Sequence, residues 1–310
     1  MSPRRPRRRS SGAWVVILIA GLVVGLALGW FWRSRVESGK PGEIGRMPWA
    51  AARRSPATPP APARPVARSA ERRAPSTAVA VGEASGAPPR VALVIDDLGR
   101  KLEDLDTIDA LQVPIACAVL PFERLSREVA GRVRARGGEL LLHLPMESAQ
   151  PGENPGPGAL RTGMDDAALR EGTERALAEV AGAIGINNHM GSALTADRRA
   201  MEAVLGVAAA RRLFFLDSRT TPHTVAFDVA RELGVPALER QVFLDDDLAP
   251  EAIRAEFRRL LDLAAERGAA IAIGHPHPAT FAVLAEEVPA ARKRGVRFVT
   301  VRELLGERRR

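Results

Sequence analysis

Short apolar runs recur along the last 220 residues, at 91–95, 115–120, 139–143, 184–188, 213–217, 238–244, 270–274 and 296–301. Most are continuous rather than alternating. That is the pattern of strands buried on both faces of a parallel sheet. Between them lie stretches of helical periodicity with recognisable ends: 126–136 before Gly137-Gly138, 165–183, 197–212, 224–233 before Gly234, and 250–267 before Gly268. About eight strand–helix units in this length predict an α/β fold, a distorted β/α barrel that is closed or incomplete, with a doubly wound open sheet as the alternative.

The first ninety residues follow different rules. Five arginines, Arg4, Arg5, Arg7, Arg8 and Arg9, precede an uncharged stretch over 13–32, about the length that crosses a bilayer core. Trp14, Trp30 and Trp32 stand at its ends, and only Arg33 and Arg35 follow closely. The asymmetry predicts a transmembrane anchor with its N-terminus in the cytoplasm; a cleaved signal peptide is the competing reading. From Pro41 to Pro89 there are ten prolines and almost no apolar periodicity, so residues 33–90 read as a disordered tether. The expected organisation is a basic cytoplasmic segment 1–12, an anchor 13–32 in contact with the lipid bilayer, a linker 33–90 and a folded domain 91–310. The bacterial inner membrane is the expected location, with the domain on its outer side.

Charge follows the same division. Residues 1–90 hold sixteen of the 45 Lys and Arg against four acids, whereas the remaining 220 hold 29 against 33. The basic character belongs to the tail, which argues against nucleic acid as the partner of the fold. No Gly-x-Gly-x-x-Gly or Walker pattern follows a strand, so no nucleotide cofactor is expected. One cysteine, Cys117, excludes an intramolecular disulfide.

Polar residues gather where strands end. Asp96 and Asp97 follow the first run, His143 ends the third, Asn187, Asn188 and His189 the fourth, Asp217 the fifth, Asp245 the sixth and His275 the seventh. In a parallel barrel all these ends open on one face. Each residue alone has an ordinary structural explanation; Asp245, before Leu248-Ala249-Pro250, also looks like a helix start. Together, one Asp with two His suits a divalent, zinc-like ion with an open position for water. Adjacent Asp side chains should point to opposite sides of the strand, so that one binds metal and the other handles a proton.

Five motifs carry a family resemblance: Val94-Ile95-Asp96-Asp97-Leu98-Gly99, Leu142-His143-Leu144-Pro145-Met146-Glu147, Gly185-Ile186-Asn187-Asn188-His189-Met190-Gly191-Ser192, Phe215-Leu216-Asp217-Ser218-Arg219 and Ile273-Gly274-His275-Pro276-His277. In this order, over about residues 91–305, they resemble the divergent polysaccharide deacetylases of bacterial envelopes. The resemblance implies a NodB-like barrel and metal-dependent removal of acetyl groups from an amino sugar of an envelope polysaccharide or peptidoglycan. It implies Asp96 as general base, Asp97 as metal ligand and His275 as acid. The usual metal-binding His-x-x-x-His stands here as His143 to Glu147, which leaves Glu147 or His189 as the further ligand; His189 is preferred, giving Asp97, His143 and His189 around a divalent metal, zinc first. The usual Arg-x-Pro motif is absent, leaving Arg219 or Arg240 to orient Asp96, with Asn188, Asp217 and Asp245 as further supporting residues. Two other readings are a non-catalytic envelope protein that binds glycan or a hydrolase partner, and a different metallohydrolase. The folded region has neither Trp nor Tyr, so Phe122 is the nearest platform for a sugar ring. The Gly- and Pro-rich segment 148–164 is expected to fold over the site.

Overall fold

The computed structural model describes residues 87–307. These contain nine parallel strands: β1 (Arg90–Leu98), β2 (Ile115–Val119), β3 (Leu140–Met146), β4 (Gly185–Met190), β5 (Phe214–Asp217), β6 (Ala237–Glu239), β7 (Val242–Phe243), β8 (Ala269–Gly274) and β9 (Arg297–Phe298). Eight described helices connect or follow them: α1 (Glu103–Ala110), α2 (Ser126–Ala135), α3 (Asp166–Glu179), α4 (Arg198–Arg211), α5 (Ala226–Glu232), α6 (Pro250–Arg267), α7 (Pro278–Lys293) and α8 (Val301–Glu307). The span expected at 13–32 and the linker as far as residue 86 lie outside the described residues, and Arg90, counted with the linker, is the first residue of β1. Among those described, no helix is long and apolar enough to cross a membrane.

The strands are ordered β6-β5-β4-β3-β2-β1-β8-β7, with β9 beside the start of β1. The two ends of this path, β6 and β7, are separated in the chain only by Arg240 and Gln241. The sheet must therefore curl until its edges meet. The single strand expected over 238–244 is in fact bent: its first half pairs with β5 and its second with β8. At the bend Gln241 donates its backbone N–H to the Ile271 carbonyl (3.0 Å), and its side-chain Oε1 accepts the Ile271 N–H (2.8 Å). A side chain thus replaces a missing strand carbonyl, and the barrel is incomplete at this seam.

Strand residues alternate between two apolar layers. Ala92, Val94, Ala118, Leu141, Leu216 and Ile273 belong to a cluster containing no residue of α1–α7, so they fill the barrel interior. Their neighbours Leu93, Ile95, Val119 and Leu142 pack outward with helix residues such as Val133, Val204 and Leu260. Because both faces are apolar, the runs are continuous.

The C-terminal segment departs from expectation. Only Arg297 and Phe298 of the run 296–301 form a strand; α8 then starts at Val301, and Val301, Leu304 and Leu305 join the interior cluster. Two caps start α8: Thr300, whose hydroxyl accepts the Glu303 N–H (3.1 Å), and Glu139, buried just ahead of β3, whose carboxylate accepts the N–H groups of Val301 (2.7 Å) and Arg302 (2.9 Å). An acceptor for two otherwise unpaired donors starts a helix there. This segment closes the end of the barrel where the strands begin and leaves the other end open.

Candidate active site

The polar residues at the open end continue the interior parity of their strands. Asp96 lies two residues beyond Val94, His143 two beyond Leu141, and His275 two beyond Ile273, each carrying the inward side of its strand past the last apolar layer. Asn187 and His189 do the same on β4.

Asp97 breaks the alternation. Its φ is +57°, and the β1–β2 register slips between Ile95 and Leu98. Asp tolerates this left-handed conformation better than most residues, and its effect is to correct the expectation from strand geometry. The two aspartates do not diverge: Asp97 Oδ1 stands 3.2 Å and Asp96 Oδ2 3.5 Å from the same His143 Nε2. Phe122, Met190 and Arg219, at the corresponding ends of β2, β4 and β5, also have positive φ. Strained backbone of this kind is concentrated at functional sites.

Three donor atoms converge beside Asp97. Its Oδ1 is 2.9 Å from His189 Nδ1 and 3.2 Å from His143 Nε2, and these two nitrogens are 3.2 Å apart. Asn187 decides what they can do. Its amide N–H donates to Asp96 Oδ1 (2.8 Å), which turns its carbonyl toward His143 Nδ1 (2.9 Å). His143 therefore carries a proton on Nδ1 and offers Nε2 to the site. Asp97 Oδ1 is buried, and neither imidazole is aligned to hydrogen-bond it. Electron pairs facing one point require a positive charge between them, a proton or a metal ion. A tetrahedral zinc site with ligands at about 2.0–2.1 Å has edges of about 3.3–3.4 Å, so the triangle fits a divalent ion.

The electrostatics agree. Burial favours a neutral Asp97, but the two imidazoles outweigh it and hold the carboxyl well below the ordinary carboxylate range. Burial lifts the pKa of Asp96, and the charges of His143 and His275 and the Asn187 hydrogen bond offset this only in part. A carboxylate of raised pKa beside such a donor triangle is suited to accept a proton.

His275 enters from β8. Its Nδ1 lies 2.9 Å from Asp245 Oδ1, while Asp245 Oδ2 accepts the His275 backbone N–H (2.6 Å) and the Thr280 hydroxyl (2.7 Å). Burial lowers the His275 pKa, but the hydrogen bond to Asp245 and the charges of Asp96 and Asp245 prevail and push it up to about 9. Asp245 is thus an orienting partner of His275 and not the helix start its sequence neighbourhood suggests. His277 completes a looser group with Asp245 and His275, its nearest ligand atoms within 4.8 Å. Both Asp245 oxygens there are already engaged.

Several other candidates sit elsewhere. Glu147 is not in the triangle: its Oε2 accepts the backbone N–H and hydroxyl of Thr162, both at 2.7 Å, and so holds the loop 148–164. Arg219 is ion-paired with Glu239. Arg240 donates to the carbonyls of Ser218 and Arg219, so neither arginine touches Asp96; Asn187 does. Asp217 faces outward, accepting from the Arg219 N–H and the Thr224 hydroxyl, both at 2.8 Å. Asn188 ties β4 to the end of β5 by accepting the Ser218 N–H (2.9 Å), while its amide N–H donates to the Met190 carbonyl of its own strand (2.8 Å). Asn187, assigned no role from the sequence, was discoverable by parity: it lies two residues before His189 and shares its face. The loop itself pairs Leu160 with Met146 and lays Gly158 on Phe122, where an added Cβ would come within 2.3 Å of the ring.

Residues 93–305 match the family model described as divergent polysaccharide deacetylase. The chain belongs to this family. Among curated relatives of this chain, an uncharacterised protein of Haemophilus influenzae is 39% identical over 202 residues, 64% of this chain and 71% of that one. The uncharacterised protein YibQ of Escherichia coli is 40% identical over 201 residues, 64% of this chain and 62% of that one. The crystal structure of uncharacterised protein ATU2773 from Agrobacterium tumefaciens C58 is 24% identical, with a TM-score of 0.65 over 72% of this chain and 92% of that chain. That likeness shows a shared fold.

The different environments of His189 and Glu147 make a direct test of the donor set. Zinc titrated calorimetrically into this chain should bind one equivalent in the parent and in Glu147→Ala, and bind at least tenfold more weakly in His189→Ala, since removing even an outer partner of a ligand costs about 10–100-fold. Loss in Glu147→Ala with retention in His189→Ala would reverse the assignment.

Proposed function

We propose that this chain is a metal-dependent hydrolase that releases acetate from an N-acetylated amino sugar of an envelope polysaccharide or peptidoglycan. The observation that carries this reading is the donor triangle of Asp97, His143 and His189 with Asp96 against it and a separate, carboxylate-oriented His275 on the neighbouring strand. Asp97, His143 and His189 would hold the divalent ion. When bound, such an ion supplies Lewis-acid chemistry, polarising a carbonyl and acidifying water.

The protein residues divide the proton work. Asn187 occupies Asp96 Oδ1 and leaves Oδ2 directed at the site, where it takes the proton of the attacking water. Asp245 holds His275 through Nδ1, so that Nε2–H can donate to the departing amine nitrogen. Without that proton the amine is a very poor leaving group. His143 is barred from this role because its Nδ1 is committed to Asn187 and its Nε2 to the triangle.

The reading extends to location. The arginine-flanked stretch 13–32 would anchor the chain in the bacterial inner membrane, with the catalytic domain on the outer side at the end of its proline-rich tether. Protease added to spheroplasts should then remove the domain, whereas full protection would contradict this topology.

Acetate release from a panel of N-acetylated glycans tests the chemistry. Asp96→Asn and His275→Ala should each lower kcat by about 10²–10⁴-fold, the usual contribution of a general acid or base. His275 acts as a cation, and its pKa is raised, so activity should persist through neutral pH and be lost as pH rises through about 9. Removing the charge in Asp245→Asn should move that alkaline limb down toward the ordinary histidine value of about 6.5. An unshifted limb would detach His275 from it, and absence of acetate release across the panel would contradict the proposed function.

A further inference from the structure

A cavity of about 700 Å³ opens at the β6–β7 seam, with Arg219, Arg240, Phe243, Asp246, Glu256 and Arg259 on its wall. None of the proposed catalytic residues lines it, but Phe243 on its wall places its ring centroid 5.1 Å from that of His275. Two of the three guanidiniums already face acids: Arg219 is paired with Glu239, and Arg259 with Glu256 at 3.0 Å. Arg240 differs. Its Nε donates to the Ser218 carbonyl (2.6 Å), its Nη2 donates to the Arg219 carbonyl (2.9 Å), and its plane lies over Phe243 with 4.9 Å to the ring centroid. These neutral partners fix the guanidinium without neutralising it. The fields of Asp96 and Asp217 reach it, but no carboxylate contacts it. Of the remaining acids on the wall, Asp247 accepts the Ala249 N–H in the turn before α6, and Asp246 is exposed to water.

A cation of fixed orientation, half-buried and without a counter-ion beside a catalytic cleft, is arranged to take an anion from outside, and the planar fork of Arg suits a carboxylate. We propose that this cavity is a subsite for a carboxylate-bearing sugar next to the N-acetylated one, anchored by Arg240. The inference rests on the deacetylase reading for the sugar but not for the charge. A uronic acid or the lactyl ether of a muramic acid would supply the same group.

The test is calorimetric titration of the full-length, zinc-loaded chain with two acidic oligomers, one alternating N-acetylhexosamine with a uronic acid and one alternating N-acetylglucosamine with muramic acid, each compared with its carboxyl-reduced form. At least one acidic oligomer should bind about tenfold or more tightly than its reduced form, with a margin that narrows as salt is raised. The oligomer that shows the margin identifies the source of the carboxylate. In Arg240→Gln the margin should vanish, and in Arg240→Lys part of it should return. Equal affinity for acidic and reduced forms of both oligomers overturns the subsite using the parent chain alone, and so does an undiminished margin in a folded Arg240→Gln. Acetate release without a carboxylate preference would overturn the subsite and leave the deacetylase reading standing. The opposite pattern would do the reverse.

Discussion

The site depends on one amide. Asn187 donates to Asp96 and accepts from His143, and because a carboxylate can only accept, the direction of the whole chain is fixed from Asp96 outward. The proton of His143 is thereby held on Nδ1, and Nε2 is offered to Asp97 and His189. A buried, fully connected polar link of this kind is costly to break in part, since either neighbour would be left without its partner. The same amide joins the residue that would accept a proton to a residue that would hold the metal.

The barrel supplies the positions that this link requires. Alternate strand residues fill the interior with Ala92, Val94, Leu141 and Ile273, and the next inward position on the same strands is polar. Closure of the opposite end by α8, started by the Glu139 carboxylate, leaves the polar layer facing the open mouth. The positive φ at Asp97 then adds a second carboxylate from a strand whose geometry would otherwise present one. The seam between β6 and β7 has the opposite effect: where the barrel fails to close, the side chains of Arg240 and Phe243 border a cavity, while Phe243 still pairs with Ile273 of β8.

Much of this was legible in the chain. Continuous apolar runs located β1 to β5 and β8 within a few residues, and Asp96, Asp97, His143, His189 and His275 were visible as polar residues at their ends. What escaped was set by contacts between distant segments. The run 296–301 has strand composition, but Glu139, more than 150 residues earlier, joins the local Thr300 cap in turning its end into a helix. The left-handed backbone of Asp97 is one that Asp tolerates better than most residues, but residue type alone does not distinguish it from Asp96. Glu147 looks like a displaced metal ligand because it occupies the spacing of one, yet it is held by Thr162 across the following loop. Asn187 and Asn188 are indistinguishable by composition, and strand parity separates them only once His189 is placed inside the barrel.

The proposed chemistry requires a metal ion at one place. Crystals of the zinc-loaded chain measured at the zinc absorption edge should show one anomalous peak, bounded by Asp97 Oδ1, His143 Nε2 and His189 Nδ1, with Asp96 and His275 outside bonding distance. A principal peak between Asp245, His275 and His277, or a peak coordinated by Glu147, would contradict it.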